Sequence, residues 1–173
     1  MIEIHPMLRN AGSSDRKDPT VLVVGDTHAV AAVACSLSET ATVHVATDDP
    51  GVAAAVGGAS VWLADSRGSD ADPSGRATIV DAPSVADTAT LRAAGAGSAA
   101  MAVVVTDTDR RALLAAQLIR TEFGLTEVVT LVNDPRREDA LATVSTATVC
   151  GTSSVADRVV EAVEERVAVE ERA

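Results

Sequence analysis

The stretch Gly25-Asp26-Thr27-His28-Ala29-Val30 holds residues whose order suits chemistry with an anion. A valine run precedes it and an alanine-rich segment follows, so a strand ends in a turn that opens directly into a helix. Such a turn aims backbone N–H groups and the positive end of the helix dipole at one point, which suits a pyrophosphate. The dinucleotide fingerprint G-x-G-x-x-G has three glycines; here Gly25 holds the first place, and Thr27 and Val30 hold the other two. Thr27 obstructs part of the backbone's approach to a phosphate but offers its own hydroxyl. Val30 pushes the helix outward or shifts the close packing to Ala29 or Ala31. Two readings stay open: a modified nucleotide pocket, or a turn kept only for folding.

In such a pocket an acid at the tip of the second strand, roughly 20 residues on, holds the ribose hydroxyls. Counting along "VHVATDDP" puts Thr47 at that tip, with Asp48 next and Asp49 beyond. Asp48 has the right chemistry, although one step along a strand points to the other face. A solvated acidic pair before Pro50 explains the same residues. His28 is placed to face phosphates and His44 lies inside a strand; neither has partners at metal-ligand spacing. Cys35 and Cys150 make no metal or disulfide spacing, and in apolar company they read as buried small hydrophobes.

The elements that must position these residues alternate along the chain. Strands are predicted at Thr20 to Gly25, Thr42 to Ala46, Ala77 to Asp81, Met101 to Thr106, Glu127 to Val132 and Ala147 to Cys150. Helices fall near Ala29 to Ser38, Pro50 to Val56, Ala86 to Ala94, Asp109 to Phe123 and Arg136 to Thr143, with Asp109 as N-cap and Gly124 at a C-terminus. Alternation of this kind implies α/β architecture, a parallel sheet covered by helices. Several strands are apolar on both faces, as strands between two helix layers must be. Residues 1–19 read as a mobile tail, residues 20–153 as one domain, and residues 154–173 as a C-terminal amphipathic helix. Within the domain, residues 57–75 read as an insert with an edge strand near Ser60 to Ala64 and a turn-rich loop. In the last helix Val155, Val159, Val163 and Val167 form an i, i+4 stripe that packs on its own sheet or docks on a second subunit.

The length of 173 residues fits one domain with a proper core. That core must be built from small side chains, because Phe123 and Trp62 are the only aromatics. The formal net charge is −11, and Lys17 is the single lysine. An acidic, lysine-poor surface resembles that of proteins from salt-accumulating halophiles and argues against nucleic acid as partner. At molar salt the Debye length is about 3 Å, so the same charge does little to repel a nucleotide. No apolar run reaches the roughly 18 residues of a membrane span and no secretion signal is visible, which predicts a cytoplasmic protein without membrane insertion. The absence of tyrosine removes the Tyr-Lys pair of short-chain dehydrogenases. G-x-x-x-x-G-K-[ST] is missing as well, which removes the P-loop NTPases. A receiver domain needs a lysine near the last strands, whereas Lys17 lies in the tail.

From Ala77 onward the pattern is specific. Val80-Asp81-Ala82, then Leu91-Arg92-Ala93-Ala94-Gly95, then Val105-Thr106-Asp107-Thr108-Asp109 with Ala112-Leu113-Leu114, and finally Val132-Asn133-Asp134-Pro135 follow one another in order. This succession resembles the N-terminal nucleotide-binding domain of Trk-type potassium-uptake regulators, the N-lobe of regulator-of-potassium-conductance (RCK) modules. The resemblance covers roughly Thr20 to Val160, by motif in the second half and by topology in the first. It implies a Rossmann-like three-layer sheet of about six strands, ordered 3-2-1-4-5-6. It also implies binding of NAD(H) or an adenine nucleotide, and a homodimer that reports to a cation channel or transporter. The site would comprise Gly25, Asp26, Thr27 and His28 at the phosphates and Asp48 beside Thr47 at the ribose, with Asp81, Ala82, Thr106 and Asp107 lining the crevice. A module that keeps the fold for dimerisation or docking without ligand is the alternative. For an oxidoreductase no positioned acid, base or nucleophile is visible.

Overall fold

The computed structural model describes residues 18–57, 62–64, 77–81 and 84–170. They form seven strands: β1 (Thr20–Gly25), β2 (Thr42–Thr47), β3 (Trp62–Ala64), β4 (Ala77–Asp81), β5 (Met101–Val105), β6 (Val128–Val132) and β7 (Ala147–Cys150). Six α-helices accompany them: α1 (His28–Leu37), α2 (Pro50–Gly57), α3 (Thr88–Ala93), α4 (Asp109–Phe123), α5 (Glu138–Ala142) and α6 (Gly151–Glu170). The sheet runs β3-β4-β2-β1-β5-β6-β7 and every pairing is parallel. The six predicted strands thus stand in the order 3-2-1-4-5-6, and the predicted insert strand extends that sheet at its β4 edge. This is the expected Rossmann-like α/β fold. The tail up to Lys17, the loop at residues 65–76 and Ala82 lie outside the described residues.

Period-two alternation in the central strand divides the core. Val21 and Val23 of β1 face α1 and α2 together with Val43, Val45, Val30, Ala34, Val52 and Val56. Leu22 and Val24 face the other layer, where Leu91, Ala94, Ala112, Ala116, Ile119 and Leu141 come from α3, α4 and α5. Parallel strands buried on both faces need such continuous apolar runs. With valine and alanine as the main fillers, the layers sit close, and close approach is where single residues become indispensable.

Gly25 is the clearest case. A Cβ built on it would lie 1.8 Å from the Val105 carbonyl oxygen and 2.8 Å from Cγ2 of Val30. Val30 is fully buried and packs directly against this glycine. The helix therefore keeps its close seat without a third glycine, because the one at position 25 leaves the room.

Four expectations are corrected. Thr108, not Asp109, is the N-cap of α4, in extended backbone conformation; Asp109 is the first helical residue. Gly124 does end α4, in the left-handed region at φ 68°. Cys35, in the last turn of α1, and Cys150, at the end of β7, are free but only half-buried. The predicted helix at Arg136 to Thr143 is a 3-10 turn over Pro135–Arg137 followed by α5, since Asp134 accepts from Arg136 N and tightens the entry. Lastly, the valine stripe of α6 does not cover its own sheet: Val155 is 64% exposed and Val163 55%. The helix follows β7 and contacts β6 and β7, while Val155, Val159, Val160 and Val163 stay exposed.

Replacing Gly25 with alanine is expected to cost about 3 kcal/mol or more, because the contact is with backbone that cannot yield. Urea unfolding followed by circular dichroism measures it; a loss below about 1 kcal/mol would show that β1 and β5 can separate at no great cost.

Candidate functional site

At the carboxyl edge of the sheet, three neighbouring strand ends bring together Gly25-Asp26, Thr47-Asp48 and Thr106-Asp107. The neighbours of β1 are β2 and β5. The chain goes from β1 through α1 to β2 on one side and reaches β5 only later on the other. Ligands of open α/β sheets bind at such a reversal of strand order.

The predicted residues that the structure describes stand as follows. Asp26 turns its carboxylate across the reversal: Oδ1 accepts from Asp107 N at 2.8 Å, and Oδ2 pairs with Arg111 of α4. Thr27 is the N-cap of α1 but makes no side-chain capping bond. Its Oγ1 is buried and has no hydrogen-bond partner. His28 opens α1 and is exposed. Thr47 is fully buried, and its hydroxyl accepts from Asp49 N at 3.1 Å, so it shapes the turn into α2. Asp49 completes that turn, with Oδ1 accepting from Gly51 N at 2.7 Å and Val52 N at 3.2 Å. Asp48 pairs with Arg111. Thr106 is buried and donates to the Thr108 carbonyl at 2.9 Å. Asp81 ends β4 in register with Thr47.

The acidic pair is thus split in function. Asp49 caps a helix, a structural task, and Asp48 pairs with Arg111.

Arg111 was not among the expected site residues. Its guanidinium spans Asp26 and Asp48, and Asp107 lies 3.7 Å from it. Burial disfavours the cation, but Asp26 and Asp48 outweigh that and hold its pKa above the ordinary arginine value. Burial has the larger hand on Asp26, whose pKa is raised above the usual carboxylate value although the Asp107 amide and Arg111 act to lower it. An Arg–Arg pair directly after Asp107-Thr108-Asp109 was the available signal. Its partners lie 85 and 63 residues away in sequence, beyond the reach of spacing arguments.

Asp109 anchors the neighbouring strand end. Oδ1 accepts from Asn133 N at 2.7 Å and from Asn133 Nδ2 at 3.2 Å, while Oδ2 accepts from Asp134 N at 2.9 Å. The Val-Asn-Asp-Pro stretch noted in the sequence is therefore a receptacle for this carboxylate. Beside it, between α4 and α5, is a cavity of about 380 Å³ lined by Asp107, Arg110, Leu113, Asn133, Arg137 and Leu141 among others. No cluster of three or more metal-ligating side chains occurs among the described residues, and no described helix is long and apolar enough to cross a membrane.

The succession from β4 through the Asp109 receptacle to β7 can now be compared with known proteins. Residues 77–152 match the TrkA-N domain. The TrkA-N match starts at β4 and ends at the first turn of α6, so it includes Arg111 and leaves the phosphate turn outside. No curated protein matches. Among solved structures, the GsuK channel bound to NAD superposes with a TM-score of 0.56 at 14% identity over 83% of this chain and 23% of the channel chain. The Shewanella denitrificans Kef CTD in its AMP-bound form superposes with a TM-score of 0.56 at 21% identity over 84% of this chain and 80% of that one. These likenesses establish the fold beyond the matched region. This chain spans about a quarter of the channel chain.

Two measurements test the site's architecture. Asp109→Ala is expected to lower the unfolding free energy by about 2–4 kcal/mol, because three donors lose a charged acceptor at once. Denaturant unfolding reads this directly. For Asp26 the sign follows from its raised pKa. Its contribution is fully present below the ordinary value of 3.8 and is lost as pH rises through the folded-state value. Wild type should therefore lose stability relative to Asp26→Asn as pH climbs from 3.8 and then run parallel to it; a constant difference across that range would contradict the assignment.

Proposed function

We propose that the chain is a regulatory nucleotide-binding module for NAD(H) or an adenine nucleotide, serving a potassium or other cation transport system. The role is one of binding, with no catalytic step. The unpartnered Thr27 hydroxyl carries the reading. A buried hydroxyl without a partner costs stability, and here it stands at the start of α1, at the strand-order reversal, where a phosphate would supply the missing acceptor. The residues fit such a group: Gly25 lets the turn lie flat on β5, the first amides of α1 and Thr27 would hold the phosphates with His28 alongside, and Asp48 would hold the ribose. Asp26, Thr106 and Asp107 form the crevice wall, with Asp81 at the end of the next strand but one from β1. Support comes from the TrkA-N match at residues 77–152 and from nucleotides bound to two proteins of the same fold.

A bound nucleotide regulates only by favouring one of two states. We place those states in a homodimer that meets a channel or transporter subunit through residues 154–173, whose exposed valines suit a protein contact. The domain proper is residues 20–153, with residues 57–75 counted as an insert. The acidic, lysine-poor surface fits a cytoplasm of high salt. One observation favours the second reading, a ligand-free docking module: Asp48, the ribose acid, is already engaged by Arg111.

Thermal unfolding in molar KCl separates the two. NAD(H), ATP, ADP or AMP near millimolar should raise the melting temperature; a ligand at 100 times its Kd adds about 2.7 kcal/mol. Thr27→Glu should abolish the rise, whatever it does to the unliganded melting temperature. No shift with any of the four leaves the docking module.

A further inference from the structure

Arg111 stands where the nucleotide of the preceding section would have to enter, and the inference drawn here rests on that reading. Its two carboxylate partners are nearly enclosed, with side chains 7% and 16% exposed, while the arginine itself is 32% exposed. An arriving ligand therefore meets the guanidinium together with the more exposed Asp107 carboxylate, 59% exposed and 3.7 Å from it, while Asp26 and Asp48 lie behind. A guanidinium has five N–H donors in a planar fork. It binds phosphate oxygens with the same bidentate geometry that it uses on carboxylates.

Charge makes the arginine necessary. Asp26, Asp48 and Asp107 surround this one cation, so without it a phosphate would approach three carboxylates. Enclosed charges of this kind are screened far less by salt than surface ones. The same pairing also blocks the site: one oxygen of Asp48, the ribose acid, is taken by Arg111. A ligand can use the ribose acid fully only if the arginine lets go, and the arginine lets go at least cost if it receives another anion in exchange.

We propose that Arg111 is a ligand-responsive specificity residue. Without ligand it bridges Asp26 and Asp48; with a phosphate-bearing nucleoside it transfers its fork to the phosphate and frees Asp48 for the ribose hydroxyls. The exchange makes the crevice selective for phosphorylated over unphosphorylated nucleosides, because adenosine offers nothing to receive the arginine. It also moves a side chain of α4 whenever ligand binds, which gives the binding event a mechanical output at the end of a 15-residue helix.

The test is isothermal titration and thermal unfolding of the full chain with AMP and with adenosine, for wild type, Arg111→Gln, Arg111→Lys and Asp26→Asn. Wild type should prefer AMP over adenosine by about tenfold or more. Arg111→Gln should lose that preference, and Arg111→Lys, which keeps the charge without the fork, should lose most of it. Asp26→Asn keeps the acceptor for Asp107 N but holds the arginine less firmly, so it should bind AMP more tightly than wild type. If Arg111→Gln does not unfold cooperatively, the Arg111→Lys and Asp26→Asn comparison decides alone. Undiminished AMP preference in Arg111→Gln or Arg111→Lys, or tighter AMP binding by Arg111→Gln, overturns the exchange while leaving nucleotide binding intact. AMP bound by Asp26→Asn alone supports it, as an arginine held too firmly in wild type. Failure of AMP to bind wild type and Asp26→Asn alike overturns it together with the nucleotide reading.

Discussion

Contact between β1 and β5 at Gly25 sets the geometry of everything above it. A strand end that lies against a neighbouring carbonyl, with no room for a methyl group, fixes how α1 leaves the sheet and where its first amides point. The fixed turn in turn delivers Asp26 across the strand-order reversal, where it ties the Asp107 amide and draws Arg111 inward. Val30 fills the space that a fingerprint glycine would leave open, and the fit succeeds because its partner is Gly25 rather than a larger residue. Substitution of two fingerprint glycines therefore leaves the fold of the turn intact and changes its chemistry from bare amides to amides with a hydroxyl.

The chain's regular elements were legible because they follow from period and composition. Valine runs apolar on both faces could belong only to a covered parallel sheet, and the bounds of α4 came out as predicted because Phe123-Gly124 closes it with a left-handed residue. Even the weak edge strand took its expected place. Caps were less legible: threonine and aspartate compete for the same position at 108 and 109, and Asp109 was drawn into the helix by three donors from the next strand end. Nothing local announces those donors. The stripe on α6 shows the reverse limit, since a pattern reveals that a face is apolar without revealing what covers it.

The candidate site divides in the same way. Gly25, Thr27 and Asp48 could be found by counting from strand ends, which are where α/β sheets place their chemistry. Thr47 and Asp49 could be counted equally well, yet they serve the backbone of the next turn, a distinction that only side-chain direction settles. Arg111 had no local signature beyond its place in an Arg–Arg pair, because its meaning comes from two acids supplied by other strand ends. Charges assembled from distant segments are invisible to spacing and obvious in three dimensions.

The central position of β1 has a bearing on how the molecule assembles. Its partner β2 follows soon after in the chain, but the tie from Asp26 to Asp107 joins residues 81 positions apart. Closing so long a loop is entropically costly and is rewarded only when both strands are already in register. The middle of the sheet is thus a seam between an early and a late portion of the polypeptide, and stitching that seam carries a large loop-closure cost in acquiring this architecture.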